Sequence, residues 1–240
     1  MADEHTVKSF DEELSHLTNL IARMGGLAEA QLAAALQALA RRDSDLAGRV
    51  IAGDAKVDEL EQEVHAFTVR MLALRQPVAQ DLRHVVVALK VSGDLERMAD
   101  YAANVAKRAL VLNQTPPVPP AAGVPRLGRV AQEMVKDVLD AYVELDVDKA
   151  TAIWNRDGEV DDMYTSLFRE LVTYMIEDPR NITACTHLMF IAKNIERIGD
   201  HATNIAERIH FLVKGTAMAA ARPKRTQETA PWFPKEGDGQ

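Results

Sequence analysis

Glu96, Asp100 and Asn104 stand four residues apart, so on a helix they form a single line of oxygen donors. A second line, Asp54, Asp58, Glu61 and His65, lies in the segment before it. Glu96 and Asp100 each follow an apolar residue, Leu95 and Ala99, while Asp58, Glu61 and His65 follow Val57, Leu60 and Val64. One residue rotates a helix by about 100°. Both lines therefore lie at the edge of a buried stripe, where packed helices turn them toward each other. Like charges at i, i+4 cost about 0.2–0.5 kcal/mol in water, and more once desolvated. Two arrangements offset that cost. A bound cation does so directly, and clustered carboxylates suit Mg²⁺, Ca²⁺, Mn²⁺ or iron. Interhelical salt bridges to Arg97, Arg108, Arg197 and Arg208 do so without metal.

The same chemistry returns later in the chain as Asp157, Asp161, Glu196, Asp200 and Asn204, with Tyr164 where the first set has Glu61. We expect two metal sites, one built from Asp54, Asp58, Glu96 and Asp100, the other from Asp157, Asp161, Glu196 and Asp200. Asn104, Asn204 and Glu61 are minor ligands in this reading, and His65 and His201 lie near enough to join them. Other chemistries find no support. Three residues after Glu61, Glu96 and Glu196 come Val64, Ala99 and Gly199, so the Glu-x-x-His pairs of a di-iron bundle are missing. No phosphate-cradling Gly-x-x-x-x-Gly-Lys-Ser/Thr loop occurs. His84, His187, His201 and Ser92 make no nucleophile–base motif, Met24, Met71, Met98 and Met189 read as core, and Cys185 reads as a buried thiol. No catalytic set emerges, and a non-enzymatic protein is expected. A helical-bundle carboxylate metalloenzyme and a metal-free structural interaction module are the alternatives.

The elements that must position these residues are helices. Val57, Leu60, Val64, Phe67, Met71 and Leu74 step by three and four, as do Leu95, Met98, Ala102, Val105, Ala109 and Leu112. Aromatics make up 5% of the chain against 47% hydrophobic residues, which suits a helical core better than a sheet. Ser9 and Glu12 read as a capping box opening the first helix, and Gly25-Gly26 as a bend or a close approach within it. Asp43-Ser44 offers the next N-cap and Pro77 ends the second helix. Pro116, Pro117, Pro119, Pro120 and Pro125 exclude helix from 113–125, leaving a semi-rigid linker. Net charge is −8, which argues against nucleic acid. The opening MADEHTVKSFDEEL lacks a basic stretch followed by an apolar one, so no signal peptide is expected, and the longest apolar run, Val85 to Leu89, is far below a bilayer span. A cytoplasmic protein is expected.

Glu96 to Arg108 and Glu196 to Arg208 match at an offset of 100, sharing Glu, Arg, Asp, Ala, Asn, Ala and Arg. At an offset of 103, Asp54, Val57 and Asp58 fall on Asp157, Val160 and Asp161, and Asp43 and Asp45 on Asp146 and Asp148. The chain is thus two copies of a three-helix unit, the second short in its first helix. The organisation expected is a first three-helix bundle over 1–112, the Pro-rich linker 113–125, a second bundle over 126–213, and a poorly ordered tail over 214–240.

With both copies in register, these residues resemble the PhoU family. FDEELSHLTNLIARMGGLAEAQL is similar to the family's first helix, PVAQDLRHVVVALK followed by LERMADYAANVA to its third, and NIERIGDHATNIAERI to the second copy. The twice-repeated Glu-x-x-x-Asp, Glu96/Asp100 and Glu196/Asp200, carries the resemblance. It implies an all-α fold of six long helices in two tandem three-helix bundles with pseudo-twofold symmetry. It also implies metal ions (iron, manganese, zinc or magnesium), multinuclear in some members, and a homodimer. The implied role is a negative regulator of phosphate uptake and of the phosphate-starvation response. Such a regulator is an adaptor between the ATPase subunit of a phosphate ABC transporter and a sensor histidine kinase, and it meets the membrane only through those partners. Two departures stand out: Tyr164 weakens the second site, and the long Pro-rich linker alters how the bundles meet.

Overall fold

The computed structural model describes residues 2–218, with side chains from Phe10 onward; the expected tail lies almost wholly outside them. Among these residues the regular structure is all helical: α1 (Ala2–Arg41), α2 (Ser44–Gly53), α3 (Ala55–Arg75), α4 (Ala79–Leu112), α5 (Val124–Glu144), α6 (Val147–Trp154), α7 (Asp157–Glu177) and α8 (Ile182–Lys214). α2 with α3, and α6 with α7, are each one rod broken briefly at Asp54 and at Asn155-Arg156. Six rods in two sets of three result, as the periodicity predicts.

The turns repeat as closely as the helices. Asp43 and Asp146 cap α2 and α6, each carboxylate accepting from the backbone N–H three residues on, Leu46 and Lys149. Arg42 and Leu145, just before these caps, both adopt left-handed φ, 55° and 54°. Arg42 then reaches 70 residues along the chain to donate to the carbonyl of Leu112 at 2.8 Å, tying down the end of α4. Two expectations need correction. α1 begins at Ala2, so Ser9 lies inside it rather than capping it; no Gly or Pro precedes Ser9 to stop the helix. The 113–125 segment is also not free of helix. Pro119–Gly123 forms a 3-10 turn and α5 starts at Val124, because proline tolerates the first turn of a helix, where its missing N–H has no partner to lose.

In the first set α3 runs antiparallel to both neighbours. Glu13 of α1 pairs with Arg75, His16 packs its ring on Phe67, and α4 returns beside them. The second set repeats this, with Asp157 near Thr203 and Gly199 near Val160. Leu17, Leu20, Ile21, Met24, Val64, Met71, Leu95 and Met98 fill the first core, and Val130, Met134, Val138, Val160, Ile195 and Ile198 the second.

The two sets dock through α1 against α5 and α4 against α8. Gly25 has no side chain because Leu139 of α5 occupies the space where a Cβ would sit. Gly128 of α5 in turn accepts Leu36 of α1, whose methyls lie 2.7 Å from that Cβ position. Gly128 and Leu139 stand 103 residues after Gly25 and Leu36, so each copy offers the other the same glycine hole and the same leucine knob. That exchange is the local form of a pseudo-twofold axis. The neighbouring Gly26 has open space around it, so within the pair the close approach is at Gly25.

Candidate metal centre

Asp54 sits where α2 passes into α3. Its own backbone is helical (φ −56°, ψ −45°), and its carboxylate makes no capping hydrogen bond. The side chain turns instead toward α4, where Asp100 lies, with Asp58 of its own helix alongside. Burial first, then the charges of Asp100 and Asp58, push its pKa up; Lys107 and the amide of Gln31 oppose the rise. Its Oδ1 is buried without a hydrogen-bond partner. Glu96 is raised for the same reasons, burial first, then Asp100, with Asp58 and Glu61 adding to it against Arg97. Five carboxylates on two helices therefore repel one another across one face. The sequence placed Asp54, Asp58, Glu61, Glu96 and Asp100 together, and the structure brings them together.

What neutralises them is thin. Arg97 lies 3.5 Å from Glu96 and 3.4 Å from Asp100, but its side chain is 58% exposed. Such surface pairs contribute about 0–1 kcal/mol. Asp58 and His65 are exposed, while Asn104 is half-buried and approached by Lys107. Among the described residues no three His, Cys, Asp or Glu side chains already surround one point as a ligand cage. The first line is an open strip of hard donors, one of them an orphaned buried oxygen, which fits a cation of the Mg²⁺, Mn²⁺ or iron type.

The second line has the same skeleton and a different finish. Asp157 opens α7 and is 3% exposed, with Thr203 Oγ1 at 3.3 Å from its Oδ1. Glu196 is buried, and Asp161, Asp200 and Asn204 are half-buried. Burial raises Glu196, Asp200 and Asp161 raise it further, and a hydrogen bond from Lys193 pulls it back. That lysine reaches Glu196 at 2.6 Å and lies 5.3 Å from the centre of the Tyr164 ring.

The other arginines named as salt-bridge partners go elsewhere. Arg108 stacks 4.0 Å over Phe190, and Arg197 lies 5.6 Å over Tyr101. Arg208 joins a group that sequence reasoning missed. Asp94, 5% exposed in the α4–α8 interface, accepts from Arg208 Nε at 2.5 Å and contacts His201 Nδ1 at 2.9 Å. Burial alone would raise Asp94, but these two partners together hold it below the usual carboxylate range. His201 thus turns its Nδ1 to Asp94 and its ring to Tyr101, rather than to the second acidic line. Nothing local signals Asp94: its partners lie 107 and 114 residues away, and its counterpart at an offset of 100 is Asn194.

Tandem three-helix bundles docked about a pseudo-twofold, each with a line of carboxylates between its second and third rods, define a class of repeated helical proteins. The model described as PhoU domain matches the chain twice, over residues 21–109 and 124–209, and the chain belongs to the PhoU family. The phosphate-specific transport system accessory protein PhoU homolog of Caulobacter vibrioides (strain NA1000 / CB15N) is 54% identical over 222 residues, covering 92% of this chain and 96% of that protein. Phosphate-specific transport system accessory protein PhoU of Escherichia coli (strain K12) is 40% identical over 213 residues, 89% of this chain and 88% of that protein. The crystal structure of PhoU from Pseudomonas aeruginosa superposes with a TM-score of 0.84 at 41% identity, covering 86% of this chain and all of that one.

Proposed function

We propose that this protein is an accessory and negative regulator of a phosphate-specific transport system, acting by contact and not by catalysis. The double match to the PhoU domain, with relatives named for that system at up to 54% identity over most of the chain, carries the reading. The finer account is an adaptor in the cytoplasm between the transporter's ATPase subunit and a sensor histidine kinase, working as a homodimer and restraining phosphate uptake and the starvation response when phosphate is plentiful. Consistent with membrane contact only through partners, among the described residues no helix is long and apolar enough to cross a bilayer.

Metal belongs to this proposal. Asp54, Asp58, Glu96 and Asp100 would hold the ion, with Glu61 and Asn104 beside them. The ion would supply positive charge that lets two repelling acidic helix faces approach and stiffen. The protein's own residues do the rest: Gln31 and Lys107 bias Asp54 toward its charged form, and Arg97 does the same for Glu96.

Affinity purification of the tagged chain from phosphate-replete cells tests the adaptor reading. Recovery of the transporter ATPase and a histidine kinase is expected. Recovery of neither, from cells that express both, overturns it.

A further inference from the structure

The two halves differ at two pairs of positions around Glu96 and Glu196. Glu61 of the first line corresponds to Tyr164 of the second at the 103 offset, and Gly93 corresponds to Lys193 at the 100 offset. A carboxylate and no side chain have been exchanged for a phenol and an ammonium. These exchanges put a cation close to Glu196 that residue 93 does not supply to Glu96; in the opposite sense Lys107, whose charge acts on Asp54, gives way to Glu207 at the 100 offset.

The structure shows where that ammonium goes. Lys193 Nζ lies 2.6 Å from Glu196, whose side chain is only 10% exposed. Tyr164 lies under the ammonium, its ring centre 5.3 Å away. The contrast with the first half is direct: Arg97 reaches Glu96 only at 3.5 Å and from a 58% exposed position. Burial strengthens the difference, because a partly desolvated charge-assisted hydrogen bond is worth more than a hydrated ion pair. The residues around Asp54 and Asp157 differ as well. Asp157 has the hydroxyl of Thr203 at 3.3 Å, where the first half has Ala103. Asp54 has beside it the amide of Gln31, which is 9% exposed. Its counterpart at the 103 offset is the apolar Met134.

We propose that Lys193, seated between Glu196 and Tyr164, is a built-in counter-cation that closes the second carboxylate line to metal, leaving the first line as the metal site of the chain. This rests on the reading of the first line as a cation site. A divalent ion approaching Glu196, Asp200 and Asp161 meets an ammonium already bonded there and must expel it. At the first line it meets carboxylates answered by the exposed Arg97 and, at Asp54, by Lys107 and the amide of Gln31, with no ammonium seated on Glu96. The pseudo-symmetric pair of sites is thus one site for an ion and one site that the chain fills itself.

Manganese bound per chain, measured by elemental analysis after equilibrium dialysis against Mn²⁺ at neutral pH, tests this in the wild type and four variants whose melting curves confirm folding. In E96Q/D100N, bound Mn²⁺ should fall at least tenfold from the wild-type level. In K193M/Y164E it should double, and in E96Q/D100N/K193M/Y164E it should return to about the wild-type level. The conservative Lys193→Arg should leave the wild-type level unchanged. If folded E96Q/D100N keeps half of the metal, the second line binds despite Lys193 and the inference fails while the metal reading stands. If folded K193M/Y164E gains none, the inference fails likewise. If the wild type binds none but K193M/Y164E does, the metal reading fails and the role of Lys193 stands. Absence of metal from both overturns both.

Discussion

Gly25 and Gly26 are adjacent in α1, and a methyl at each should act in opposite directions. At Gly26 nothing lies within 4 Å of a new Cβ, so Gly26→Ala adds helix propensity alone, about 0.8–1.0 kcal/mol. For a chain of this size that raises Tm by about 2–4 °C per kcal/mol. At Gly25 the same gain meets Leu139, whose methyls fill the space. Overpacking costs about 1–3 kcal/mol, so Gly25→Ala should range from neutral to about 2 kcal/mol destabilising. The colliding group is the end of a half-buried side chain that can shift part of the way, which sets the lower bound. The double variant Gly25→Ala/Leu139→Ala isolates the contact: removing the knob abolishes the clash, giving a favourable coupling of about 0.5–3 kcal/mol. Urea unfolding of the wild type, Gly26→Ala, Gly25→Ala, Leu139→Ala and the double variant measures each value. Equal effects at Gly25 and Gly26, or additivity in the double variant, would refute the reciprocal glycine-and-leucine docking of the two bundles.

Asp94→Ala leaves Arg208 and His201 facing each other in the α4–α8 interface and should destabilise by about 3 kcal/mol, the lower end for a broken buried pair because His201 and Arg208 keep some exposure; thermal unfolding checks it. The Tyr142 hydroxyl is buried without a partner, so Tyr142→Phe should be neutral or stabilise by about 1 kcal/mol in the same assay. The pH dependence of metal-free protein has two limbs. Asp54, Glu96 and Glu196 have raised pKa values, so their folded forms take up protons more readily and stability rises as pH falls from 7 through those values. Asp94 and Glu13 have lowered values, so their stabilisation is complete above about pH 4–5 and is lost as pH falls through their folded values. A stability maximum on the acid side of neutrality is expected by calorimetry, with a shallower acid limb in Asp94→Asn. Millimolar Mn²⁺ should raise Tm at pH 7, by less as pH falls through the raised pKa values of Asp54 and Glu96, and not in E96Q/D100N.

The six rods, the repeat and the facing carboxylates were legible in the sequence because each is a local pattern. A step of three and four names a buried face, and an acid one residue after a seam position lies at its edge. Asp54 is the clearest case: its offset match to Asp157 identified it without any knowledge of the break between α2 and α3. Asp94 was not legible, since its meaning comes from Arg208 and His201, which only the antiparallel docking of α4 on α8 brings to it. Lys193 carried a weak signal, three residues before Glu196 on one helix, but its weight depends on Tyr164 from α7 lying beneath it. Ser9 misled because a capping-box spacing is short and a helix continues through it unless something stops it. The 3-10 turn at Pro119–Gly123 escaped because proline excludes helix interiors but not first turns.

The account is tested most directly by starvation-gene expression. A reporter for a phosphate-starvation promoter, read in phosphate-rich medium, should be derepressed in a strain that lacks this protein and any second family member. Expression of the wild-type chain should silence it again. A reporter that stays silent in the deletion strain would contradict the account.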